Sequence, residues 1–298
     1  MTMFKLAAAL ATTLWGFTYI IASTMLPQHP WFIGAVRAGL GALPLLLLAR
    51  ELPPLQFWPK LIVLGTLNAG LFFALLFVAA LRLPGGVAGI FQALSPLCAI
   101  VLVWPLLNNR PTLLKLVSML VGLAGVALVI LKGGTSLDGV GVLAALGCAF
   151  SIALGGVLVQ KWGQPMSMTG FTAWQLVVAA VELGAVALIL DDIPSGLSAV
   201  NGLGLVIMAL GLTSLPFFLW FRAIRSEGAA SVTPFMLLTP IIAFALDAIV
   251  RDIVPTPLQG LGVLLVVVGL ALNILAGRKP RTAAWVQPAK VSEPTAAA

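Results

Sequence analysis

The segment PTLLKLVSMLVGLAGVALVILKG, residues 111–133, has a second copy 144 residues later: PTPLQGLGVLLVVVGLALNILAG, residues 255–277. Ten of the 23 paired residues are identical, and the matches include the leading Pro-Thr pair and the glycines Gly125 and Gly269. At the same offset Pro96 falls on Pro240. Apolar composition produces chance matches of Leu and Val, but it does not readily align Pro, Thr and Gly together. The repeat therefore predicts a chain built from two related halves.

The composition identifies the environment in which these halves fold. Hydrophobic residues make up 61% of the 298 residues and charged residues 8%, against ~25% charged residues in typical soluble domains. The mean hydropathy is +1.13. Such a chain cannot cover a water-exposed surface with polar groups, so it is predicted to be an integral membrane protein.

The runs between the helix-breaking Pro and Gly clusters are apolar throughout, so they predict membrane-spanning helices and not the alternating strands of a barrel. The fold class is therefore all-α. The predicted spans are ten: residues 4–24, 31–49, 58–80, 84–107, 111–131, 138–160, 168–190, 199–223, 227–249 and 256–277. A removed signal peptide is the alternative for the first of these, but no soluble domain follows it, and a retained span is favoured.

Five spans in each half decide the relation between the halves. Because five is odd, the second half must enter the membrane from the opposite side, which makes the repeats inverted. We expect residues 1–134 to form the first five-helix repeat, residues 135–278 the second, and residues 279–298 a disordered cytoplasmic tail. Inverted repeats are common in secondary transporters, whose substrate sites lie near the membrane midplane between the halves.

The placement of Lys and Arg predicts the orientation. With the amino terminus in the cytoplasm, the cytoplasmic segments carry 12 of the 16 basic residues and the outer loops carry three, while Arg37 lies inside the second span. This asymmetry follows the positive-inside rule and places both termini in the cytoplasm.

Several short patterns, in this order, resemble a known family. They are Trp15-Gly16, Arg37-Ala38-Gly39, Ala80-Leu81-Arg82 before the Pro96 helix, and the repeated segment ending at Gly133 and at Gly277. Over residues 5–278 the chain resembles the EamA-type branch of the drug/metabolite transporter superfamily, and within it the YddG-type exporters of aromatic amino acids. The resemblance implies export of amino acids and similar metabolites across the bacterial inner membrane by alternating access. The family often has Leu-Gly-Glu at the end of span four, where this chain has Leu107-Asn108-Asn109.

Two charges lie within spans at similar depth. Arg37 in span two and Glu182 in span seven are each some six to eight residues from the predicted outer end. A charge inside a span costs at least ~2.5–3.5 kcal/mol, so it should have a partner. We expect these residues to form an ion pair or gate between the halves. Snorkelling of Arg37 to the outer surface and direct contact of Arg37 with substrate remain the alternatives.

Polar and aromatic side chains inside spans are the candidates for substrate binding. Amides offer donors and acceptors to an ammonium and a carboxylate, and aromatic rings offer an apolar pocket. Hydrogen bonding and packing between helices is the alternative function for each of them. The candidates are Thr12, Trp15, Tyr19, Asn68, Phe72, Phe73, Phe91, Gln92, Trp174, Gln175, Phe217, Trp220 and Phe235.

The paired prolines Pro96 and Pro240 are the candidate hinges, because a proline inside a helix removes a backbone hydrogen bond and kinks the helix. The chain has no Walker motif, and with one His and two Cys it is not expected to bind a metal or another cofactor. Neither enzyme activity nor nucleic-acid binding is expected. The expected partners are a small amino-acid or metabolite substrate and the lipid bilayer, and a monomer is one possible state.

Competing functions remain within the same class of protein. An exporter of lipophilic drugs or other small metabolites would suit the apolar candidate pocket, and a channel is a further alternative. A phosphorylated or nucleotide-linked sugar would require several basic residues inside the membrane, and Arg37 alone meets that requirement. Proton antiport and facilitated diffusion are equally compatible with the sequence.

Overall fold

The structure is a computed structural model that describes residues 2–131, 138–190, 192–227, 232, 235–236, 238–253 and 256–276. The predicted tail 279–298 lies outside these residues. Ten helices are described: α1 Met3–Met25, α2 Pro30–Ala49, α3 Leu55–Arg82, α4 Gly85–Leu107, α5 Leu113–Leu131, α6 Gly139–Trp162, α7 Met168–Ile189, α8 Ala199–Glu227, α9 Leu238–Val250 and α10 Pro257–Ala276.

These helices confirm the all-α fold class, and each corresponds to one of the ten predicted spans. Eight of them are long and apolar enough to cross a membrane. The other two helices, α5 and α9, correspond to predicted spans five and nine, and their apolar stretches are shorter. The first part of predicted span nine, residues 227–237, lies largely outside the described residues. Span eight runs four residues beyond its predicted end, to Glu227.

Each helix has a counterpart in the other half, five helices away along the chain. When every helix is replaced by its counterpart, the same pairs of helices are in contact. The counterparts themselves pack together as α2 with α7, α4 with α9 and α5 with α10. The remaining major contacts come in matched pairs: α3 with α6 and α8 with α1, α4 with α6 and α9 with α1, and α2 with α8 and α7 with α3. This exchange is the pattern expected of a pseudo-two-fold axis.

The counterparts cross in opposite directions, as an inverted repeat requires. At one face Asp192, just beyond α7, accepts a hydrogen bond from the backbone N–H of Trp31 at the start of α2, over 2.8 Å. At the other face the indole of Trp174, near the start of α7, donates to the backbone oxygen of Glu51 beyond α2, over 2.8 Å. The two helices are therefore antiparallel.

The repeated glycines hold α5 against α10. A Cβ added at Gly125 would lie 2.5 Å from the carbonyl oxygen of Gly262, and one at Gly269 would lie 2.8 Å from the carbonyl oxygen of Ser118. Each glycine thus permits a close approach to the backbone of the opposite helix, which small residues achieve in membranes. The aligned glycines of the sequence repeat have the same packing function in both halves.

Four helices depart from regular α geometry, and the π-helical departures are paired between the halves. π-Helical segments occur at Thr66–Gly70 in α3 and at Ile207–Ser214 in α8. The helix α4 is interrupted at Ala93 and Leu94, so that Pro96 is the second residue of a new helical segment, and Pro240 is the third residue of α9 as the structure describes it. Pro96 therefore follows a break instead of bending a continuous helix, and Pro240 lies in the first described turn of α9. In α1 a turn at Phe17 has no counterpart in the continuous α6.

Two residues with positive φ angles mark the carboxyl ends of α4 and α9. Asn108 and Asp252, which are paired at the offset of 144, end α4 and follow α9 with φ angles of 50° and 54°. Asn and Asp tolerate this left-handed conformation better than most residues, so Asn108 suits the position where the resembled family often has glycine. At the start of α6 the backbone N–H of Gly141 donates to Asp138, and this bond, together with Arg82, lowers the pKa of the Asp138 carboxyl.

Candidate functional site

A cavity of about 540 Å³ lies between the two halves. Its volume falls within the ~300–1,000 Å³ range of small-molecule sites. The lining residues that the structure describes are uncharged and come from α1, α4, α6, α8, α9, α10 and the residue Met236. Four of the predicted substrate-binding residues are among them: Trp15, Gln92, Phe217 and Trp220.

The aromatic wall of the cavity is built around Trp15. Its ring centroid lies 5.4 Å from that of Phe217 and 5.5 Å from that of Trp220, at interplanar angles of 68° and 57°. Phe221, one turn beyond Phe217, continues this wall and stacks on Phe217. The arrangement offers ring faces and edges to a solute, as aromatic side chains in binding sites commonly do.

Polar groups at the cavity come from matched positions of the two halves. Ser95-Pro96 and Thr239-Pro240 are paired at the offset of 144, and all four residues line the cavity. Both candidate hinges therefore border the same space, one from each half. Their placement at the interface of the repeats agrees with where transporters bind their substrates.

Gln92 connects the cavity to the interior of the protein. The phenol of Tyr19 donates a hydrogen bond to the side-chain oxygen of Gln92. Tyr19 is buried and is not itself a lining residue of the cavity. This bond joins α1 to α4 beside the cavity.

Asn273 is a cavity residue that the sequence reasoning missed. It lies near the end of α10 with Ile274 and supplies an amide to the lining of the cavity. A signal was available, since Asn273 is paired with Val129 in the repeated segment. A polar residue that appears in one copy of an apolar repeat marks a functional difference between the copies.

A buried carboxylate joins α9 to α4 at the face where α4 begins. Asp247, whose exposed fraction is 2%, accepts a hydrogen bond from the backbone N–H of Gly86 over 2.6 Å. Arg251 lies 3.7 Å from the same carboxylate. The contact joins α9 to α4 at this face, whereas the cavity-lining residues Asn273 and Ile274 lie toward the face where α10 ends.

The amides Asn68 and Gln175 lie away from the cavity and bond to each other. The amide nitrogen of Asn68 donates to the side-chain oxygen of Gln175 over 2.7 Å, which joins α3 to α7. Gln175 also donates to the backbone oxygen of Phe171. Gly155 of α6 leaves the space for Asn68, because a Cβ at that glycine would collide with the amide. Hydrogen bonding between helices, the alternative function for these two amides, is what the structure shows.

The other candidates also occupy positions outside the cavity lining. Thr12 donates to the backbone oxygen of Ala8 in its own helix, and Phe72, Phe73 and Phe91 are buried in the main core. Trp174 packs edge-on against Trp58, with ring centroids 5.5 Å apart. Phe235 packs with Trp220 against a small separate cluster. The structure thus brings four of the thirteen candidates together at the cavity and places Tyr19 directly behind them.

Arg37 and Glu182 do not form the predicted ion pair, although both belong to the described residues. The Arg37 guanidinium donates from Nε to the hydroxyl of Thr213 over 2.8 Å and from Nη2 to the backbone oxygen of Leu212 over 3.3 Å. Glu182 instead accepts a hydrogen bond from Thr66 over 2.6 Å. The prediction rested on matched depth, but the two side chains face different neighbours: α8 in the case of Arg37 and α3 in the case of Glu182. Arg37 is 3% exposed, so snorkelling to the surface is not observed either.

The profile of the EamA-like transporter family matches residues 3–131 and again residues 139–275. The chain belongs to the EamA-like transporter family. The two matches fall within the predicted repeats 1–134 and 135–278, whose boundaries stay a prediction. As a family member of this architecture, it is a polytopic membrane transporter whose substrate is a small molecule.

Relatives with curated names support this membership. The chain is 33% identical over 238 residues to Protein PecM of Dickeya dadantii (strain 3937), which covers 79% of this chain and 80% of PecM. It is 24% identical over 285 residues to a probable amino-acid metabolite efflux pump of Escherichia coli (strain K12), covering 91% and 94% of the two chains. A solved crystal structure with 20% sequence identity superposes with a TM-score of 0.65 over 92% of this chain and 97% of the other. That similarity shows the shared fold.

Proposed function

We propose that this protein exports amino acids, aromatic ones among them, from the cytoplasm across a bacterial inner membrane. The observation that carries the proposal is the cavity between the halves, with its aromatic wall and its neutral polar groups. An amino acid has an apolar side chain suited to Trp15, Phe217 and Trp220 and a charged head suited to Gln92 and Asn273. Relatives named as amino-acid metabolite efflux pumps support the same substrate class.

Alternating access is the mechanism that this geometry supports. With both termini in the cytoplasm, as the basic residues predict, the cavity-lining residues Asn273 and Ile274 lie toward the cytoplasm and the contact of Asp247 with Gly86 joins α9 to α4 at the outer face. The break before Pro96 and the first described turn of α9, which contains Pro240, then serve as the hinges at which α4 and α9 change direction. Exchange of conformation between the two inverted halves would close the inner side and open the outer side.

Export of lipophilic drugs is the second candidate, and the aromatic wall favours it. The two candidates differ in what they need from the polar groups. An amino acid requires partners for its ammonium and carboxylate, because unpaired charged groups are costly to desolvate. A lipophilic drug requires the aromatic wall but not Asn273.

The test is flux into proteoliposomes across the twenty amino acids, with and without a pH gradient. We expect saturable uptake of L-phenylalanine, which Trp15→Ala and Asn273→Leu each reduce by about tenfold or more, a loss equivalent to one hydrogen bond or aromatic contact to a charged or bulky solute. Trp104→Ala is the matched control, since Trp104 is 53% exposed on the outside of α4. Its flux should stay within about twofold of wild type.

Two results would contradict the proposal. Absence of flux for all twenty amino acids would remove the substrate class, and loss of drug efflux in Trp15→Ala but not in Asn273→Leu would then favour the lipophilic-drug exporter. Steady single-channel currents instead of saturable flux would show a channel. Dependence of the flux on the pH gradient would separate proton antiport from facilitated diffusion.

A further inference from the structure

One donor of the Arg37 guanidinium has no partner among the described residues. Its Nη1 is the buried side-chain nitrogen for which the described residues offer no hydrogen-bond partner. Burial of such a donor is costly, and the cost is greater for a charged group. A guanidinium with a free N–H is therefore an incomplete site whose missing partner is an acceptor, most favourably an anion.

The described groups that contact the Arg37 guanidinium are uncharged, so they do not neutralise its positive charge. Thr213 and Leu212 accept from two of its nitrogens, and the rings of Phe73 and Phe77 lie 4.4 Å and 5.7 Å from its Cζ. No described residue forms an ion pair with it. These contacts fix the orientation of the guanidinium without neutralising it, which is the arrangement of a prepared anion site.

Arg37 is not a lining residue of the cavity, but it packs on the buried core that reaches the cavity through Tyr19. The Tyr19 phenol bonds to Gln92 at the cavity, and Tyr19 belongs to the same buried core as Phe73 and Phe77, whose rings flank the guanidinium of Arg37. Tyr19 also adjoins Gly85, next to the contact between Asp247 and Gly86 that joins α9 to α4. The Tyr19–Gln92 bond therefore lies between the lining of the cavity and the buried core that flanks Arg37.

We propose that Arg37 receives the carboxylate of the transported solute when the hydrogen bond between Tyr19 and Gln92 opens. The inference rests on the proposed export of amino acids and adds the residue that recognises their acidic group. The solute leaves the aromatic wall, passes the Tyr19–Gln92 bond and places its carboxylate on Nη1 of Arg37. A solute without a carboxylate has no partner there, so the site selects carboxylate-bearing solutes over amines and neutral amides.

The test compares two ligands that differ only in the carboxylate. L-phenylalanine and L-phenylalaninamide are titrated into purified full-length protein at about pH 6, where both carry an ammonium group, and tryptophan fluorescence of Trp15 and Trp220 reports binding. We expect wild type to bind the acid at least about tenfold more tightly than the amide, as loss of a charged hydrogen bond predicts. In Arg37→Gln the ratio of the two dissociation constants should fall to about one, and Arg37→Lys should retain part of it.

The control is Arg82→Gln, which removes an arginine whose side chain is exposed and paired with Asp138 over 3.2 Å. Its ratio should equal that of wild type. If Arg37→Gln weakens the binding of both ligands equally, the ratio of the two dissociation constants is preserved. That result overturns the proposal, because it assigns Arg37 a purely structural function. If wild type shows neither binding nor flux of any amino acid, the proposed export is refuted and the carboxylate site with it. If wild type shows saturable amino-acid flux but the ratio of the two dissociation constants does not depend on Arg37, the carboxylate site is refuted and the proposed export is not.

Discussion

Arg37 and Gln175 hold equivalent positions in the two halves, yet their contacts differ. Each is the eighth residue of its helix, counted from Pro30 in α2 and from Met168 in α7. Each is buried and reaches the π-helical segment of a helix in the opposite half. Gln175 meets the amide of Asn68, and Arg37 meets the hydroxyl of Thr213 and a backbone oxygen.

The difference shows how an inverted repeat can keep one packing and carry two functions. The amide pair between α3 and α7 is neutral, and each amide has its partner, so the contact is a structural bond between helices. The contact between α2 and α8 contains a charge and leaves Nη1 without a partner among the described residues. π-Helical segments occur frequently at functional sites, and here the same distortion supports a structural contact in one half and the proposed carboxylate site in the other.

The largest expected effect on the free energy of unfolding comes from removal of the Thr213 hydroxyl, which accepts a hydrogen bond from Nε of Arg37. Thr213→Val leaves Nε of a buried guanidinium without a partner, next to Nη1 that already lacks one. We expect the free energy of unfolding in mixed micelles to fall by about 1.5–3 kcal/mol, the range for hydrogen bonds to charged groups. Thr213→Ser keeps the acceptor and is the control. If Thr213→Val lowers the free energy of unfolding by no more than Thr213→Ser does, Thr213 does not stabilise the charge of Arg37.

A smaller effect of opposite sign is expected when the charge itself is removed. Arg37→Met eliminates the buried guanidinium, while Thr213 keeps its hydrogen bond to the backbone oxygen of Met208. We expect the free energy of unfolding to rise by about 1 kcal/mol, the lower end of the range for replacing buried charges with apolar side chains. Thermal unfolding followed by tryptophan fluorescence measures this. Destabilisation instead would mean that the bonds of Arg37 to α8 are structural, as those of Gln175 are.

The smallest effect is expected in the neutral contact. Asn68→Leu removes one partner of Gln175, which keeps its bond to the backbone of Phe171. The expected loss is about 0.6 kcal/mol, the average for hydrogen bonds between membrane helices. In the double variant Asn68→Leu/Gln175→Leu the loss should be smaller than the sum of the single losses, since both halves of one bond are removed together. A loss larger than that of Thr213→Val would reverse the comparison between the two contacts.

Most of the fold was predictable because the signals are local. Hydropathy marks each span, proline and glycine mark the breaks, and the odd number of spans in each half fixes the inversion. The glycines Gly125 and Gly269 were visible as aligned residues before their close approach to the opposite backbone was known. The π-helical segments in α3 and α8 were not predicted, because an extra residue in a helical turn leaves the apolar pattern of a fully apolar span unchanged.

The candidate site was predictable in part. Trp15, Gln92, Phe217 and Trp220 line the cavity, and their binding function stays a prediction, whereas Phe171, Trp174 and Gln175 share a face of α7 that packs elsewhere. One-face spacing identifies residues that lie together on a helix, and it does not say which neighbour that face meets. Trp174 illustrates this limit, since its indole bonds to the loop after α2.

The sequence by itself determined the membrane environment, the ten spans and the two inverted halves, because hydropathy and repetition are properties of the chain read in order. The tertiary structure decided the partners of Arg37 and Glu182. Glu182 lies seven residues after Gln175, and both face α3, whereas Arg37 faces α8. Depth in the membrane follows from position along a helix, but the partner of a side chain depends on the rotation of one helix against another, which only packing determines.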